Sequence, residues 1–321
     1  MPNLKNIVLA RHALKSAIRE FFLQRAYLEI DTPILVKCPG TELHLGYFKT
    51  DWVDHRGLPH RLWLRSSPEL AMKRTLCEGL EAVFQLAPSF RNYGDLGLWH
   101  QPEFTMLEWY QVGSSFDEYL SLTEDLFRFC LAKMQERFTC PLILPSQLAR
   151  WTVRDAFEEF AGVHLTDHDP DLARQAREKG VLSVGKQDDF ETAFFKILLE
   201  KVEPAFEQLG FVLLYDYPPS QAALARVDNG VAKRFEFYIK GIELSNGFWE
   251  LCDPEENERR VRDVHRQRAL LGKDVPEEDR EFYAALAKGL PDCFGNALGF
   301  DRLLALILGK GSIADVMIYP F

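Results

Sequence analysis

The chain has 321 residues, 47% of them hydrophobic and 27% charged, and this ordinary globular composition excludes disordered and fibrous architectures. No run of about 18 apolar residues occurs, and charges interrupt the N-terminal stretch, so the sequence predicts a cytoplasmic protein without a membrane span or signal peptide. The net charge of -10 disfavours nucleic acid as the main partner.

The first third of the chain alternates between predicted helices and strands. An amphipathic helix is predicted over 4–25, where Ile7, Leu14, Ile18 and Phe21 recur at helical spacing. Strands are then predicted at LEIDTP, RLWLR, AVFQLA and EFTMLEWY, together with a helix that has Ser67 as N-cap and Pro68 as first residue and ends at Gly79.

The rest of the chain is predicted to be helical first and then mostly stranded. The stretch from about 111 to 210 is expected to be a helical insertion in a single domain spanning 1–321. The elements predicted after it are the strand FVLLYDYPP, a hairpin in RFEFYIKGIELSNGFWEL turning at Lys240-Gly241, a charged helix over 254–271, and a strand that enters a buried helix closed by Gly309. This order predicts an α+β fold with an antiparallel or mixed sheet flanked by helices.

A carboxylate lies within the apolar strand EFTMLEWY. The period of two places Phe104, Met106, Glu108 and Tyr110 on one face, so a carboxylate and a phenol project side by side from an apolar floor. A buried charge costs several kcal/mol unless it is paired, so this face is a good pocket for an ammonium group. A salt bridge to an arginine or lysine elsewhere is the alternative.

A second pair of carboxylates lies in the predicted hairpin. Glu243 and Glu250 are seven residues apart, and a bulge at Asn246-Gly247 would return them to a common face. Two carboxylates in one site favour Mg²⁺ or an amine substrate, whereas two solvated edge carboxylates are the alternative. Arg91 and Arg302 suit polyphosphate or nucleobase binding, but each could equally be a structural ion-pair partner.

Taken in order, these segments resemble the class II aminoacyl-tRNA synthetases, and among them the lysine enzymes. LEIDTPIL is similar to motif 1, SFRN with HQPEFTMLEWY to motif 2, and GNALGFDRLLAL to motif 3. SSPELAMKR and GIELSNGFWEL are similar to segments of the lysine pocket. The resemblance covers about 11–110 and 211–321, and it implies the class II catalytic fold and a homodimer formed through motif 1.

The resemblance also implies site residues. The implied catalytic residues are Arg91, which would bind the α-phosphate of ATP, Arg302, which would stack on adenine, and Glu243. Glu243 and Glu250 would be the ligands of Mg²⁺. Further ATP contacts are implied for Asp95, His100, Gln101 and Leu244. The implied substrate residues are Ser67, Glu69 at the backbone amine, Asn246 at the carboxylate, Glu108, Tyr110 and Glu250 around the ε-ammonium, and Ala297 beside the α-carbon.

Length distinguishes this chain from a bacterial lysyl-tRNA synthetase, because its motif 1 helix begins within the first dozen residues. We therefore expect no anticodon-binding domain. The chain is similar to truncated lysyl-tRNA synthetase paralogues, which ligate (R)-β-lysine to a lysine of translation elongation factor P. Ala297 is consistent with this similarity, because those ligases have alanine at the position where the synthetases have glycine.

This resemblance predicts an enzyme that activates (R)-β-lysine or lysine with ATP as an adenylate. The acyl group would pass to a lysine side chain of elongation factor P, and tRNA is the less favoured acceptor. Two alternatives stay open at this point. One is a minimal synthetase that charges tRNA or another amine, and the other is a catalytically silent regulatory paralogue.

Overall fold

A computed structural model describes residues 4–92, 94 and 97–321 of the chain. The helices are α1 (Leu4–Leu23), α2 (Glu69–Cys77), α3 (Phe116–Gln135), α4 (Val153–Ala161), α5 (Leu172–Glu178), α6 (Phe190–Ile197), α7 (Glu203–Leu209), α8 (Pro254–Leu270), α9 (Arg280–Gly289) and α10 (Phe300–Ile307). The strands are β1 (Leu28–Glu29), β2 (Leu35–Val36), β3 (Phe48–Val53), β4 (Pro59–Leu64), β5 (Ala82–Phe90), β6 (Glu103–Val112), β7 (Ala149–Thr152), β8 (Phe211–Tyr217), β9 (Val227–Asp228), β10 (Val231–Ile239), β11 (Ile242–Trp249) and β12 (Cys293–Gly299).

The chain divides into two compact units. The first unit contains Met1–Leu142 and Leu251–Phe321, and the second contains Ile143–Glu250. Within the first unit four strands lie in the order β1, β5, β6, β12, and three other strands form a separate sheet in the order β2, β4, β3. The pair β1/β5 is parallel, whereas β5/β6 and β6/β12 are antiparallel.

One face of the sheet in the first unit is apolar and covered by helices. Trp109 of β6 is fully buried, and its ring lies 5.6 Å from that of Phe22 of α1. Phe22 also stacks on Phe84 of β5 at 4.8 Å. Since successive side chains of a strand point to opposite faces, Glu108 and Tyr110 lie on the other face of β6. The hydrophobic layer thus fixes β6 and leaves its polar side chains on the opposite surface.

The second unit is built on the strand order β11, β10, β8, β7, with β9 paired to β10. The pairs β10/β11 and β8/β10 are antiparallel and β7/β8 is parallel. Its core packs helices against β8, with Phe157 of α4, Phe194 of α6 and Leu214 of β8 all fully buried. A π-helical turn, Leu198–Val202, joins α6 to α7.

The α+β fold with strands flanked by helices is confirmed. The strands of each unit's main sheet pair in mixed fashion, whereas β2, β4 and β3 pair only antiparallel. The predicted hairpin turn is also present, since Lys240 and Gly241 have φ values of 51° and 75°. The helix predicted to begin at Pro68 begins at Glu69, and Pro68 itself is the N-cap. The predicted stretch at 111–210 contains a strand, β7, that the helical spacing did not reveal.

No helix among the described residues has the length and apolarity that a membrane crossing requires.

Candidate active site

The centre of β6 carries the buried carboxylate and phenol that the sequence placed together. Glu108 is 1% exposed, and its Oε2 accepts a hydrogen bond from the Tyr110 hydroxyl at 3.2 Å. Glu108 is flanked by Gln85 of β5 and Ala297 of β12, which are its partners in the sheet register. The side-by-side geometry expected from strand periodicity is therefore present, and Ala297 lies next to it.

The electrostatic state of Glu108 is unusual for a glutamate. Burial raises its pKa to about 8, and the nearby Glu69 adds to this, while Tyr110, Ser67 and Lys73 oppose it. Its Oε1 has no hydrogen-bond partner among the described residues. A buried carboxyl with an unfilled acceptor is a costly arrangement unless a ligand supplies the missing partner. An ammonium group would fill it and favour the ionised form.

The start of α2 presents the predicted amine-binding residues. The Ser67 hydroxyl accepts a hydrogen bond from the Glu69 backbone N–H at 3.2 Å. Glu69 accepts a hydrogen bond from Lys73 at 2.6 Å, and the Lys73 side chain is only 2% exposed. Lys73 was missed by the sequence analysis, although its spacing of four residues from Glu69 on one helix is a signal for such a pair. The charge of Glu69 is therefore already balanced within the protein.

Two of the predicted nucleotide-binding residues are in direct contact. Arg302 of α10 approaches His100 with 2.9 Å between Nη2 and Nε2, and its Nε donates to the Trp99 carbonyl at 3.2 Å. For Nε2 to accept this hydrogen bond, His100 must carry its proton on Nδ1. Gln101 is 8% exposed and its Oε1 accepts from the Phe321 backbone N–H at 3.1 Å.

The motif 2 arginine directly follows β5. The Arg91 guanidinium lies 5.2 Å from the ring centre of Phe104, which shares the Glu108 face of β6, and its backbone N–H donates to Pro102. Its buried Nε has no hydrogen-bond partner among the described residues. The first unit therefore brings an arginine to the same surface as the buried carboxylate. Asp95, the other predicted motif 2 contact, lies outside the described residues.

The second unit holds the remaining predicted residues on or just after β11. The predicted bulge exists but is displaced, because Glu243 pairs with Tyr238 and Ser245 with Phe237, which makes Leu244 the extra residue. Asn246-Gly247 is regular strand, so the bulge prediction was wrong in position. With this register Glu243 and Asn246 share one face. Glu250 is 1% exposed and lies just past β11, in a bridge with Ala225.

A further carboxylate in the second unit was missed by the sequence analysis. Glu236 of β10 is 4% exposed and accepts hydrogen bonds from Arg234 at 2.6 Å, from the Tyr238 hydroxyl at 2.6 Å and from Asn246 Nδ2 at 3.0 Å. Because the Asn246 amide nitrogen is used here, its buried Oδ1 is left without a partner among the described residues. Asn246 therefore offers an acceptor, which suits an ammonium better than a carboxylate.

The carboxylates suit a nucleotide-bound magnesium ion better than a protein-only metal cage. The described residues contain no group of three histidine, cysteine or acidic side chains able to hold a metal. Mg²⁺ is usually held by one or two carboxylates together with substrate phosphates. Glu243, partly exposed on β11, and Glu250 are side chains of that kind.

Comparison with known proteins gives a consistent result along the whole chain. The family model described as tRNA synthetases class II (D, K and N) matches residues 1–321. The elongation factor P–(R)-β-lysine ligase of Vibrio atlanticus (strain LGP32) is 40% identical over 320 residues, covering 97% of this chain and 94% of that protein. Ligases of the same name are each 38% identical in Histophilus somni (strain 2336), with 97% and 93% coverage, and in Salmonella dublin, with 99% and 95% coverage.

Proposed function

Because the chain belongs to the class II tRNA synthetases of the D, K and N group, we propose that it is an ATP-dependent ligase for (R)-β-lysine or lysine. The acyl group is activated as an adenylate and transferred to a lysine side chain of translation elongation factor P. The observation that carries this proposal is the buried Glu108–Tyr110 pair with its unfilled acceptor. The names and near-equal lengths of the relatives support the choice of substrate and acceptor.

In the first step a substrate carboxylate oxygen attacks the α-phosphorus of ATP. A new P–O bond forms, the bond to the β-phosphate bridging oxygen breaks, and pyrophosphate leaves. Arg91 binds the α-phosphate and stabilises its charge in the transition state, while Arg302 and His100 hold the nucleotide. Glu243 and Glu250 would hold Mg²⁺, which would offset phosphate charge when bound. Catalysis is therefore positioning plus electrostatics, with no covalent bond to the enzyme.

In the second step the deprotonated amine of the acceptor lysine attacks the adenylate carbonyl. The new amide C–N bond forms, the bond between the acyl carbon and the phosphate oxygen breaks, and AMP leaves. Glu108 and Tyr110 bind the ε-ammonium of the substrate throughout, so that its carboxyl group stays at the reaction centre. Ser67 and Glu69 act at the backbone amine. A cytoplasmic homodimer is part of this proposal.

The experiment measures both steps with the purified chain. Pyrophosphate exchange should depend on ATP, Mg²⁺ and (R)-β-lysine or lysine, and Arg302→Ala should lower its rate by about 10²-fold or more. Arg174→Ala, which removes an arginine with a 53% exposed side chain on α5, is the matched control and should leave the rate unchanged. Intact-mass spectrometry should then show one added lysine-sized unit on elongation factor P.

The same assay separates the two alternatives. Efficient charging of tRNA(Lys) with an unchanged mass of the factor would establish the minimal synthetase instead. Absence of any amino-acid-dependent exchange would favour the silent regulatory paralogue. Undiminished exchange in Arg302→Ala would overturn the assignment of the nucleotide site.

A further inference from the structure

The loop before β3 carries a carboxylate that has no assigned role. Glu42 Oε2 accepts a hydrogen bond from the Tyr47 hydroxyl at 3.1 Å. Tyr47 is 2% exposed, and the same hydroxyl accepts from the Glu42 backbone N–H at 3.2 Å. The carboxylate is therefore held at one end by a buried aromatic side chain of its own loop.

A buried arginine fixes the backbone of this loop. Arg268 of α8 is 2% exposed, and its Nη1 donates to the carbonyls of Glu42 at 2.7 Å and Leu45 at 2.8 Å. Its guanidinium also lies 4.4 Å from the ring centre of Tyr47. Since the Arg268 guanidinium donates its hydrogen bonds to carbonyl groups, it does not form an ion pair with the Glu42 carboxylate. The loop is thus held in place while that carboxylate keeps acceptor capacity.

Glu42 lies beside the predicted amine-binding residues of the first unit. Its Oε1 is 3.4 Å from the hydroxyl of Ser66, the residue before Ser67. A side chain at Gly40 would overlap both Glu42 Oε2 and the Ser66 hydroxyl, so the close approach requires glycine there. Burial raises the pKa of Glu42. The charge of Arg91 lowers this pKa and the charge of Glu69 raises it, so both side chains are close enough to act on Glu42 electrostatically.

The carboxylates assigned so far provide a partner for only one of the two ammonium groups of the substrate. A lysine isomer carries two ammonium groups, and Glu108 with its open Oε1 suits the ε-ammonium. Glu69 is already ion-paired with the buried Lys73 at 2.6 Å. Glu42 makes no ion pair within 4 Å among the described residues. It is therefore the acidic side chain left to pair with the second ammonium, whose charge would favour the ionised form of Glu42.

We propose that Glu42, together with Glu69, binds the backbone amine of the substrate and makes the enzyme specific for diamino acids. This inference rests on the proposed function, because it assumes a lysine-type substrate at the Glu108 face. It predicts selection against 6-aminohexanoate, which has the same chain and terminal ammonium but lacks the backbone amine. The enzyme would thus select its substrate by the second positive charge rather than by the length of the carbon chain.

The experiment compares Glu42→Gln with wild-type enzyme in pyrophosphate exchange. We expect kcat/KM for (R)-β-lysine and lysine to fall at least about 10-fold, since glutamine removes the charge from the hydrogen bond to the amine. The inhibition constant of 6-aminohexanoate and the KM for ATP should change less than about 2-fold. Glu20→Gln, on α1 outside the site, is the matched control. Tyr47→Phe should give a smaller loss of the same selectivity.

Three results would overturn the proposal. They are an unchanged selectivity, an equal loss of affinity for 6-aminohexanoate, and a raised KM for ATP, which would instead make Glu42 a positioning residue for Arg91. If Glu42→Gln does not fold, Glu42→Asp keeps the charge and should retain selectivity for diamino acids over 6-aminohexanoate. If the enzyme exchanges pyrophosphate with (R)-β-lysine but does not transfer it to elongation factor P, only the proposed acceptor is wrong and the role of Glu42 stands. No exchange by wild-type enzyme would overturn both.

Discussion

At the scale of single residues, the proposed role of Glu108 would couple substrate binding to protonation. Its pKa of about 8 means that the carboxyl is mostly protonated near pH 7 when no ligand is bound. An ammonium ligand stabilises the carboxylate form, because the charged partner replaces the hydration that burial removed. Binding should therefore displace a proton from the enzyme.

We predict that (R)-β-lysine binding near pH 7 releases about one proton from Glu108. Calorimetric titrations in buffers of different ionisation enthalpy measure this number directly. Glu108→Gln cannot release the proton, so it should bind more weakly and without the buffer dependence. Equal buffer dependence in wild type and variant would show that another group titrates.

The same pKa predicts how the stability of the ligand-free protein depends on pH. The folded-state pKa of about 8 lies above the model-compound value of 4.5, so the folded protein binds the extra proton between these values. The stabilising contribution is complete below about pH 4.5 and is lost as pH rises through about 8. The Tm of wild type should therefore fall relative to that of Glu108→Gln between pH 5.5 and 8. A constant difference would contradict the assignment.

The sequence could predict Glu108 and Tyr110 as neighbours because strand periodicity is a local property. Glu42 could not be predicted in this way, because its setting depends on Arg268, which is more than two hundred residues away in the chain. A contact across that distance leaves no periodic signal in the sequence. Glu236 is different, because two of its partners, Arg234 and Tyr238, lie two residues away on the same strand and were open to the same periodicity argument.

At the scale of elements, the β10–β11 hairpin depends on its two-residue turn. Both turn residues have positive φ, which favours asparagine, aspartate or glycine over other residues. Gly241 also faces a close neighbour, because a Cβ there would lie 3.1 Å from the Glu203 carbonyl oxygen. This turn starts the β10/β11 pairing, within which the bulge at Leu244 brings Glu243 and Asn246 to one face.

We predict that Gly241→Ala destabilises the protein by about 1 kcal/mol or more, because it combines an unfavourable φ with crowding. Lys240→Asn should instead stabilise it by a few tenths of a kcal/mol, since asparagine tolerates positive φ. Urea denaturation midpoints of the two variants measure both effects. Gly57→Ala, at a φ of 80° with open space around it, is the control that isolates backbone strain from crowding. A smaller loss in Gly241→Ala than in Gly57→Ala would contradict the role of crowding.

Elements were predictable where they are long and periodic. Helix α1 and strand β6 were expected almost to their observed ends, because their apolar spacing extends over many residues. Strand β2 has only two residues and is defined by pairing with β4, so no local pattern indicates it. The bulge was placed at Asn246-Gly247 from composition, whereas pairing with β10 places it at Leu244.

At the scale of the whole molecule, the first unit exposes an apolar surface along the predicted motif 1. Val8 on α1 is 44% exposed, Leu28 on β1 is 53% exposed and Leu35 on β2 is 49% exposed. These three side chains come from elements at and around motif 1, and exposed apolar patches on a protein surface often mark interaction sites. A second copy of the chain can cover such a surface on both protomers at once in a twofold dimer. This supports the homodimer that the motif 1 resemblance implied.

We predict that the protein sediments as a dimer at micromolar concentration and that Val8→Glu with Leu28→Glu converts it to a monomer. Two buried carboxylates per protomer would lie unpaired in the interface, and each such charge costs several kcal/mol. Leu182→Glu changes a leucine that is 90% exposed in the second unit and should leave the dimer intact. Sedimentation velocity distinguishes the two masses, and circular dichroism checks that the double variant is folded. A monomeric wild type, or a dimeric double variant, would place the apolar surface outside the subunit interface.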